Sequence, residues 1–503
     1  MTTPVPTETE LKFLLDPAAE PDVARRAGLN RPEKVRALCS TYFDTPDRRL
    51  RGSGLALRLR ENGDGVVQTL KQAGAVTRGE WETQVPAAQI DMGALGSTPA
   101  ADLLDGDAHE LEPVFMTRVE RRTRLCREGG SVIEIALDVG EIVAGERHEP
   151  IREMELELKS GEPLALFRLA RKLAEGGGLR LSLESKSERG YRLADGAALE
   201  PRKAAPLPLR ADMTAAEGFQ ALALGCLGQA AANSEILREQ RRPEALHQLR
   251  VAIRRLRALT KAGEEMLGAG ERLLVETELK WLAGELDVAR DLDVFIADGY
   301  RPAVLELAEQ DFAALGQQLL KAQSSAYARA QAAVRSPRCA ALWLEAASWI
   351  EVGDWTRTET PAAVRLREQP VQAFAADALD HLRKVVRKRG RRFASLDATG
   401  RHKLRIRAKR IRYVAEFFSP LFEQAKGRRS FLKRLKAMQS SLGDLNDIAV
   451  ARSHLADRAE LKAPAVAFAA GRVVGWRERG EREELETARR GVEAFREQAP
   501  FWR

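Results

Sequence analysis

The hydrophobic rhythm of this chain changes once, near residue 214. Before that point, apolar and charged positions alternate in short runs. Leu11 and Phe13 oppose Glu8, Glu10 and Lys12, and Leu55, Leu57 and Leu59 oppose Arg58 and Arg60. Ile133, Ile135 and Leu137 oppose Glu134 and Asp138, and Met154, Leu156 and Leu158 oppose Glu153, Glu155, Glu157 and Lys159. Period two predicts β-strands, each with one apolar and one charged face. On the surface of a sandwich such faces would simply meet water. Repeated charged faces of both signs point instead to the inside of a closed antiparallel barrel, with the apolar faces turned outward under helices.

After residue 214 the period becomes 3.6 and the sequence predicts helices. It also repeats itself. Ala245–Arg257 aligns with Gly400–Arg412 at an offset of 155, and Leu286–Val294 with Leu442–Val450 at 156. Leu246, Leu249, Ile253 and Leu256 make one apolar stripe, and Leu404, Ala408, Ile411 and Ala415 its counterpart. About 100° around the helix lie His247, Arg250, Arg254 and Arg257, matched by His402, Arg405, Lys409 and Arg412. A single basic face is ordinarily a solvated one. Here like charges recur at i, i+4, where they repel, and both copies keep the arrangement. The stripes are therefore expected to form two walls of one groove for a polyanion, in a duplicated all-α bundle. The run Arg383, Lys384, Arg387, Lys388, Arg389, Arg391 and Arg392 extends that field. With one histidine per stripe and no nearby His/Cys set, metal ligation there is not expected.

The charge is divided along the same line. Of the 503 residues, positions 1–200 carry 28 basic and 34 acidic side chains, a net −6, and the rest carry 53 and 39, a net +14. A basic half beside an acidic one implies an anionic partner for the basic half. Pro201, Pro206 and Pro208 mark a stiff linker. The expected architecture is thus an α+β multidomain protein: a barrel domain with flanking helices over 1–198, a linker over 199–212, and a helical domain over 213–503 with repeats near 213–365 and 366–503. Aromatics make up only 6%, so nucleic acid is not expected beyond weak electrostatic binding. The four cysteines are far apart, which speaks against a zinc site or a disulfide scaffold. No Walker A sequence is present. No run of eighteen apolar residues occurs, so a membrane span is not expected. The first residues lack a basic and apolar signal pattern. A cytoplasmic location is expected.

The order of motifs in the first part is Glu8-x-Glu10-x-Lys12, Tyr42-Phe43-Asp44-Thr45, Leu57-Arg58-Leu59-Arg60, Thr69-Leu70-Lys71 and Arg78-x-Glu80-x-Glu82. Then come Ile133–Asp138, Glu153-x-Glu155-x-Glu157-Leu158-Lys159 and Ser185-Lys186-Ser187. This series resembles the CYTH family, the triphosphate tunnel metalloenzymes, from about Thr7 to Tyr191. The resemblance implies that Glu8, Glu10, Glu134, Asp138, Glu155 and Glu157 hold Mg²⁺ or Mn²⁺. It implies that Arg58, Arg60, Lys71, Arg118, Arg122 and Lys186 grip phosphates. Lys12, with Glu8 and Glu10, would then stand at the catalytic point beside the attacking water. One segment departs from the family pattern of two basic residues two apart on a central strand. In Thr117–Arg124, Arg118, Arg122 and Arg124 share a parity and Arg121 does not, which leaves the lumen-facing arginine open by one step of register.

The second part resembles the CHAD domain, associated with inorganic polyphosphate, from roughly Thr214 to Arg503. That resemblance implies polyphosphate contacts by His247, Arg250, Arg254, Arg257, His402, Arg405, Lys409 and Arg412. Together the two imply metal-dependent hydrolysis of inorganic triphosphate or short polyphosphate, with a module that binds the polymer. The alternatives are a non-catalytic polyphosphate-binding protein that associates with polyphosphate granules and an adenylate cyclase-type activity of the barrel.

Overall fold

The computed structural model describes residues 6–74, 76–104, 111–205, 209–307, 312–423, 425–456 and 464–503, with the side chains of 449–456 left out. Pro206 and Pro208 of the expected linker lie outside the described residues. Two compact units are present: Met1–Arg202 with Pro337–Ser348, and Lys203–Ser336 with Trp349–Arg503.

The first unit is built on strands β1 (Thr7–Leu15), β2 (Lys34–Asp44), β3 (Leu55–Glu61), β4 (Val66–Gln72) and β5 (Thr77–Val85). These are followed by β6 (Glu112–Glu128), β7 (Ser131–Ala144), β8 (Arg147–Ser160) and the short β9 (Leu179–Ser182). Their order is β5-β4-β3-β2-β6-β7-β8-β1-β9, every pair antiparallel. β5 also pairs with β1, Glu8 opposite Arg78, so eight strands close on themselves and β9 adds to the outside of the ring. The long β6–β7 ribbon turns through Gly129 and Gly130, whose φ of 57° and 84° suit a two-residue hairpin loop that needs positive φ at both positions.

The alternation fixes which face goes where. Leu11, Phe13, Leu57, Ile133, Ile135, Leu137, Met154 and Leu156 are buried on the outer face, and the helix Pro163–Ala174 buries Leu166, Phe167 and Ala170. The charged positions between them face inward, as expected for an inside-out barrel.

The helical unit repeats one arrangement. Thr214 caps the helix Ala215–Glu239 with a capping box shared with Glu217, and Pro370 starts the helix Val371–Gly390. These two starting points meet. The Ala215 N–H donates to Gln369 O at 2.8 Å and the Val371 N–H to Met213 O at 2.9 Å. Reciprocal bonds between equivalent residues are what a pseudo-twofold axis between repeats produces. The helices Pro243–Ala262 and Ala398–Phe418, one from each repeat, pack together, and both apolar stripes are fully buried. No described helix is long and apolar enough to cross a membrane.

Candidate functional site

The inner face of the barrel holds an ion-pair network. Glu8 accepts from Lys71 Nζ at 2.8 Å and from Arg78 at 3.2 Å, and Arg78 reaches on to Glu10. Lys12 Nζ lies 3.6 Å from Glu10 Oε1. Lys71 is 2.9 Å and Arg58 3.8 Å from Glu80. Arg60 donates to Ser40 Oγ at 3.2 Å. Burial, together with the neighbouring charges of Arg58 and Arg121, pushes the Arg60 guanidinium down to about 10. Tyr42 is fully buried, which alone would raise its phenol, yet Arg58, Arg60 and Lys186 bring it below its ordinary value.

A second group lies beyond Lys12. Arg121 holds both oxygens of Asp138, Nε at 2.7 Å and Nη2 at 2.6 Å, and reaches Glu155 at 2.5 Å. Lys186 is the first residue of the helix Lys186–Ala194. Its ammonium meets Asp138 at 2.9 Å, Glu153 at 2.8 Å and Glu155 at 2.6 Å. Burial alone would lower Lys186, but these carboxylates hold it well above its ordinary value. Burial would likewise raise Glu155, and Lys186, Arg121 and Lys12 instead hold it well below. Desolvating so many charges is costly, and buried ion pairs are weak contributors to stability against an apolar filling. An interior built this way is organised for a charged ligand.

The sequence-derived set therefore divides. Glu8, Glu10, Lys12, Arg58, Arg60, Lys71, Asp138, Glu155 and Lys186 all belong to this lumen. Two expected phosphate ligands do not. Arg118 is exposed, and Arg122 pairs with Glu20 at 2.9 Å, on the face opposite Arg121. The register Arg121↔Asp138 puts Arg121 inside, one step from the expected pair. Arg78, Glu80, Arg121, Glu153 and Tyr42 complete the lining. Strand parity was the signal for Arg78 and Glu80, which share the period of Glu82, and for Glu153, which shares that of Glu155, whereas only the pairing with β7 places Arg121.

Glu134 and Glu157 sit nearer the open end, where Lys159 Nζ is 2.6 Å from Glu157 and 3.9 Å from Glu134. Burial, and the charges of Glu8 and Glu134, keep the Glu157 carboxyl above its ordinary value despite Lys159. Crowded carboxylates of this kind offer the oxygen donors a hard divalent cation takes, and such a cation would relieve their repulsion. Asp138 and Glu155 are instead committed to Arg121 and Lys186. Among the described residues no three potential ligands converge on one point, so the donor chemistry fits a cation while its coordination would need side chains to turn.

In the helical unit the basic stripes come together. Lys409 is half-buried and lies under the charges of Arg405, Arg254 and Arg250, which with its desolvation push its ammonium down to about 7. Burial, Arg290 and other cations push His247 down to about 4, so it is neutral at pH 7. Acidic partners do exist, and they come from the second repeated element: Asp287 pairs with Arg250, and Asp447 lies 3.9 Å from Arg405. Three members of the stripes stand apart from this cluster. Arg257 is exposed, Arg412 has an i+4 partner in Glu416 at 3.6 Å, and His402 bonds Asn446 at 2.6 Å.

Comparison with known proteins follows this division. Residues 6–191 match the CYTH domain family and residues 221–456 the CHAD domain family. An inorganic triphosphatase of Haemophilus influenzae is 34% identical over 166 residues, covering 31% of this chain and 46% of that protein. The match thus spans less than half of that relative. An uncharacterized protein of Mycobacterium tuberculosis is 26% identical over 494 residues, 90% of this chain and 88% of its own length. Among solved structures, the CHAD domain of the plant Ricinus communis is 31% identical, covers 59% of this chain and 97% of that one, and superposes with a TM-score of 0.49. The protein described here is therefore one that joins a CYTH domain, residues 6–191, to a CHAD domain, residues 221–456.

Proposed function

We propose that the barrel hydrolyses inorganic triphosphate, or the end of a short polyphosphate, and that the CHAD domain binds inorganic polyphosphate. One observation carries the first part: cations and carboxylates share a buried lumen with Lys12 between the two groups. Arg58, Lys71, Arg78, Arg121 and Lys186, exchanging their present carboxylate partners, and Arg60, now bonded to Ser40, would supply charge for phosphate oxygens. Lys12 and Glu10 stand where a terminal phosphoryl group and an attacking water would be held. Phosphoryl transfer asks a protein chiefly for positioning and for neutralising charge that develops on the departing oxygens, and a preformed cationic lumen supplies both. Glu8, Glu10, Glu134 and Glu157 would hold Mg²⁺ or Mn²⁺, which would contribute Lewis-acid polarisation of the phosphate oxygens. The triphosphatase relative of the CYTH part supports this reading.

For the CHAD domain, the support is the meeting of Arg250, Arg254, Arg405 and Lys409 between the repeats, with Lys409 already depressed by its neighbours. A chain of phosphates would relieve that repulsion. The test is phosphate release from inorganic triphosphate with and without Mg²⁺ or Mn²⁺, alongside polyphosphate binding by the whole protein. Release that does not need a divalent cation would remove the metal assignment.

A further inference from the structure

The four cations that meet between the repeats of the helical unit are not equivalent. The buried Nε atoms of Arg250, Arg254 and Arg405 all lack a hydrogen-bond partner. At the outer nitrogens the side chains differ. Arg250 Nη1 is held by Asp287, an exposed carboxylate on the helix Gly270–Val294, and lies 3.4 Å from Ala283 O. Among the described residues, Arg254 and Lys409 form no ion pair, and Arg405 has one distant carboxylate, Asp447 at 3.9 Å.

The difference traces to one position of the second repeated element. Leu286–Val294 aligns with Leu442–Val450, so Asp291 corresponds to Asp447, and Asp287 to Gly443. The structure keeps that correspondence. A Cβ added at Gly443 would lie 3.8 Å from Nε and Nη2 of Arg405, and nothing else outside its own helix would come within 4 Å. The equivalent place in the first repeat carries the carboxylate that holds Arg250. The neighbouring position matches as well: His402 bonds Asn446 at 2.6 Å, and Arg290 stands at that place beside His247. Asp444, the residue after Gly443, is exposed and forms no ion pair among the described residues. A carboxylate oxygen on a guanidinium takes the position that a phosphate oxygen would take, with the same sign of charge. A polyanion that used Arg250 would therefore exchange one anion for another, whereas at Arg254, Arg405 and Lys409 it would neutralise charge that has no close counterpart.

We propose that Asp287 is an affinity-setting residue of this cluster: an internal carboxylate that occupies the phosphate position on Arg250. A polyphosphate is then anchored on Arg405, Lys409 and Arg254, and reaches Arg250 only by displacing Asp287. The two repeats thus contribute unequally, the open side being that of Gly443. This rests on the polyphosphate reading of the CHAD domain and specifies which cations hold the chain. Asp287 is exposed, and an ion pair at such a site contributes little to stability, so its removal should change binding and leave the fold in place.

The experiment measures binding of a long linear polyphosphate to the whole protein in excess EDTA, across a series of salt concentrations, with a thermal melt of each variant. Arg405→Ala is expected to weaken binding by about tenfold or more, and Arg250→Ala by at least about threefold less than that. Asp287→Ala should tighten binding by about threefold or more and steepen the salt slope by about 0.7 to 0.9, the contribution of one further phosphate contact. In the Asp287→Ala background, Arg250→Ala should become as costly as Arg405→Ala. Gly443→Asp should act in the opposite sense, weakening binding and flattening the slope. Parent-like affinity and slope in Asp287→Ala, or equal losses from Arg250→Ala and Arg405→Ala in the parent, would overturn the inference. So would a tightening that persists unchanged once Arg250 is also removed, since Asp287 would then act only as long-range charge. No polyphosphate binding by the parent removes the polyphosphate reading and this inference together.

Discussion

Arg121 on β6 and Asp138 on β7 face each other across the ribbon, the guanidinium holding both carboxylate oxygens at 2.7 and 2.6 Å. This pair marks the register of the central ribbon. It puts the odd-numbered residues of β6 inside the barrel and sends Arg118 and Arg122 outside.

That register is open to test. Arg121→Lys keeps a positive charge beside Asp138 but loses the two-pronged grip, and should lower kcat/KM for triphosphate by on the order of a hundredfold. Arg118→Ala should leave it within about twofold, since surface substitutions away from special features change little. Equal losses from the two variants, measured by steady-state kinetics, would mean that the register has been assigned wrongly.

Lys12→Ala should cost on the order of a hundredfold or more in kcat, and Glu10→Gln a comparable amount. Both side chains are buried and paired, so thermal melting belongs beside the kinetics. Arg78 keeps Glu8 as a partner when Glu10 is neutralised, and a modest shift in Tm is expected. A collapse of Tm in both variants would make these residues structural rather than catalytic.

Much of this architecture was legible in the sequence because period two and period 3.6 leave different traces, and because charged faces cannot be buried in an ordinary core. The lumen positions of Glu8, Glu10, Lys12, Arg58 and Arg60 follow from parity alone. Arg121 was not legible in the same way. A strand with arginines at both parities carries no internal marker of which face is inside, and only pairing with β7 decides it. Neither Asp287 nor Asp447 was legible as an ion-pair partner, since each reaches its arginine from a helix distant in sequence. The buried cluster of Phe115, Ile142 and Ile151 was hidden for a related reason: these residues share the parity of the charged positions on their strands, and they meet only in the closed barrel.

Polyphosphate binding by the whole protein should weaken steeply with salt, log affinity falling linearly with log salt and each phosphate contact contributing about 0.7 to 0.9 to the slope. Arg250→Ala with Arg254→Ala should reduce both affinity and slope, and adding Arg405→Ala and Lys409→Ala should reduce them further. A quadruple variant that binds as the parent does would leave the stripes as solvated helix faces.

Lys409 gives that binding a pH dependence. Its ammonium is pushed down to about 7 by burial and by Arg405, Arg254 and Arg250, against the opposing charge of Asp447. A bound polyanion favours the protonated form. Below about pH 7 the charge is already present and affinity is flat. Above it a proton must be taken up on binding, and affinity should fall by up to about tenfold per pH unit. Lys409→Arg should flatten the profile, and titration calorimetry between pH 6 and 9 reads both. An unchanged slope in that variant would assign the dependence to another group.

The most direct test of the barrel assignment is phosphate release from inorganic triphosphate and from ATP at equal concentration, with Mg²⁺ and then with excess EDTA. If the buried cations of the lumen grip phosphates and its carboxylates hold the metal, triphosphate should be cleaved faster than ATP by at least about tenfold, with no release in EDTA. Equal rates on the two substrates, or release undiminished by EDTA, would contradict it.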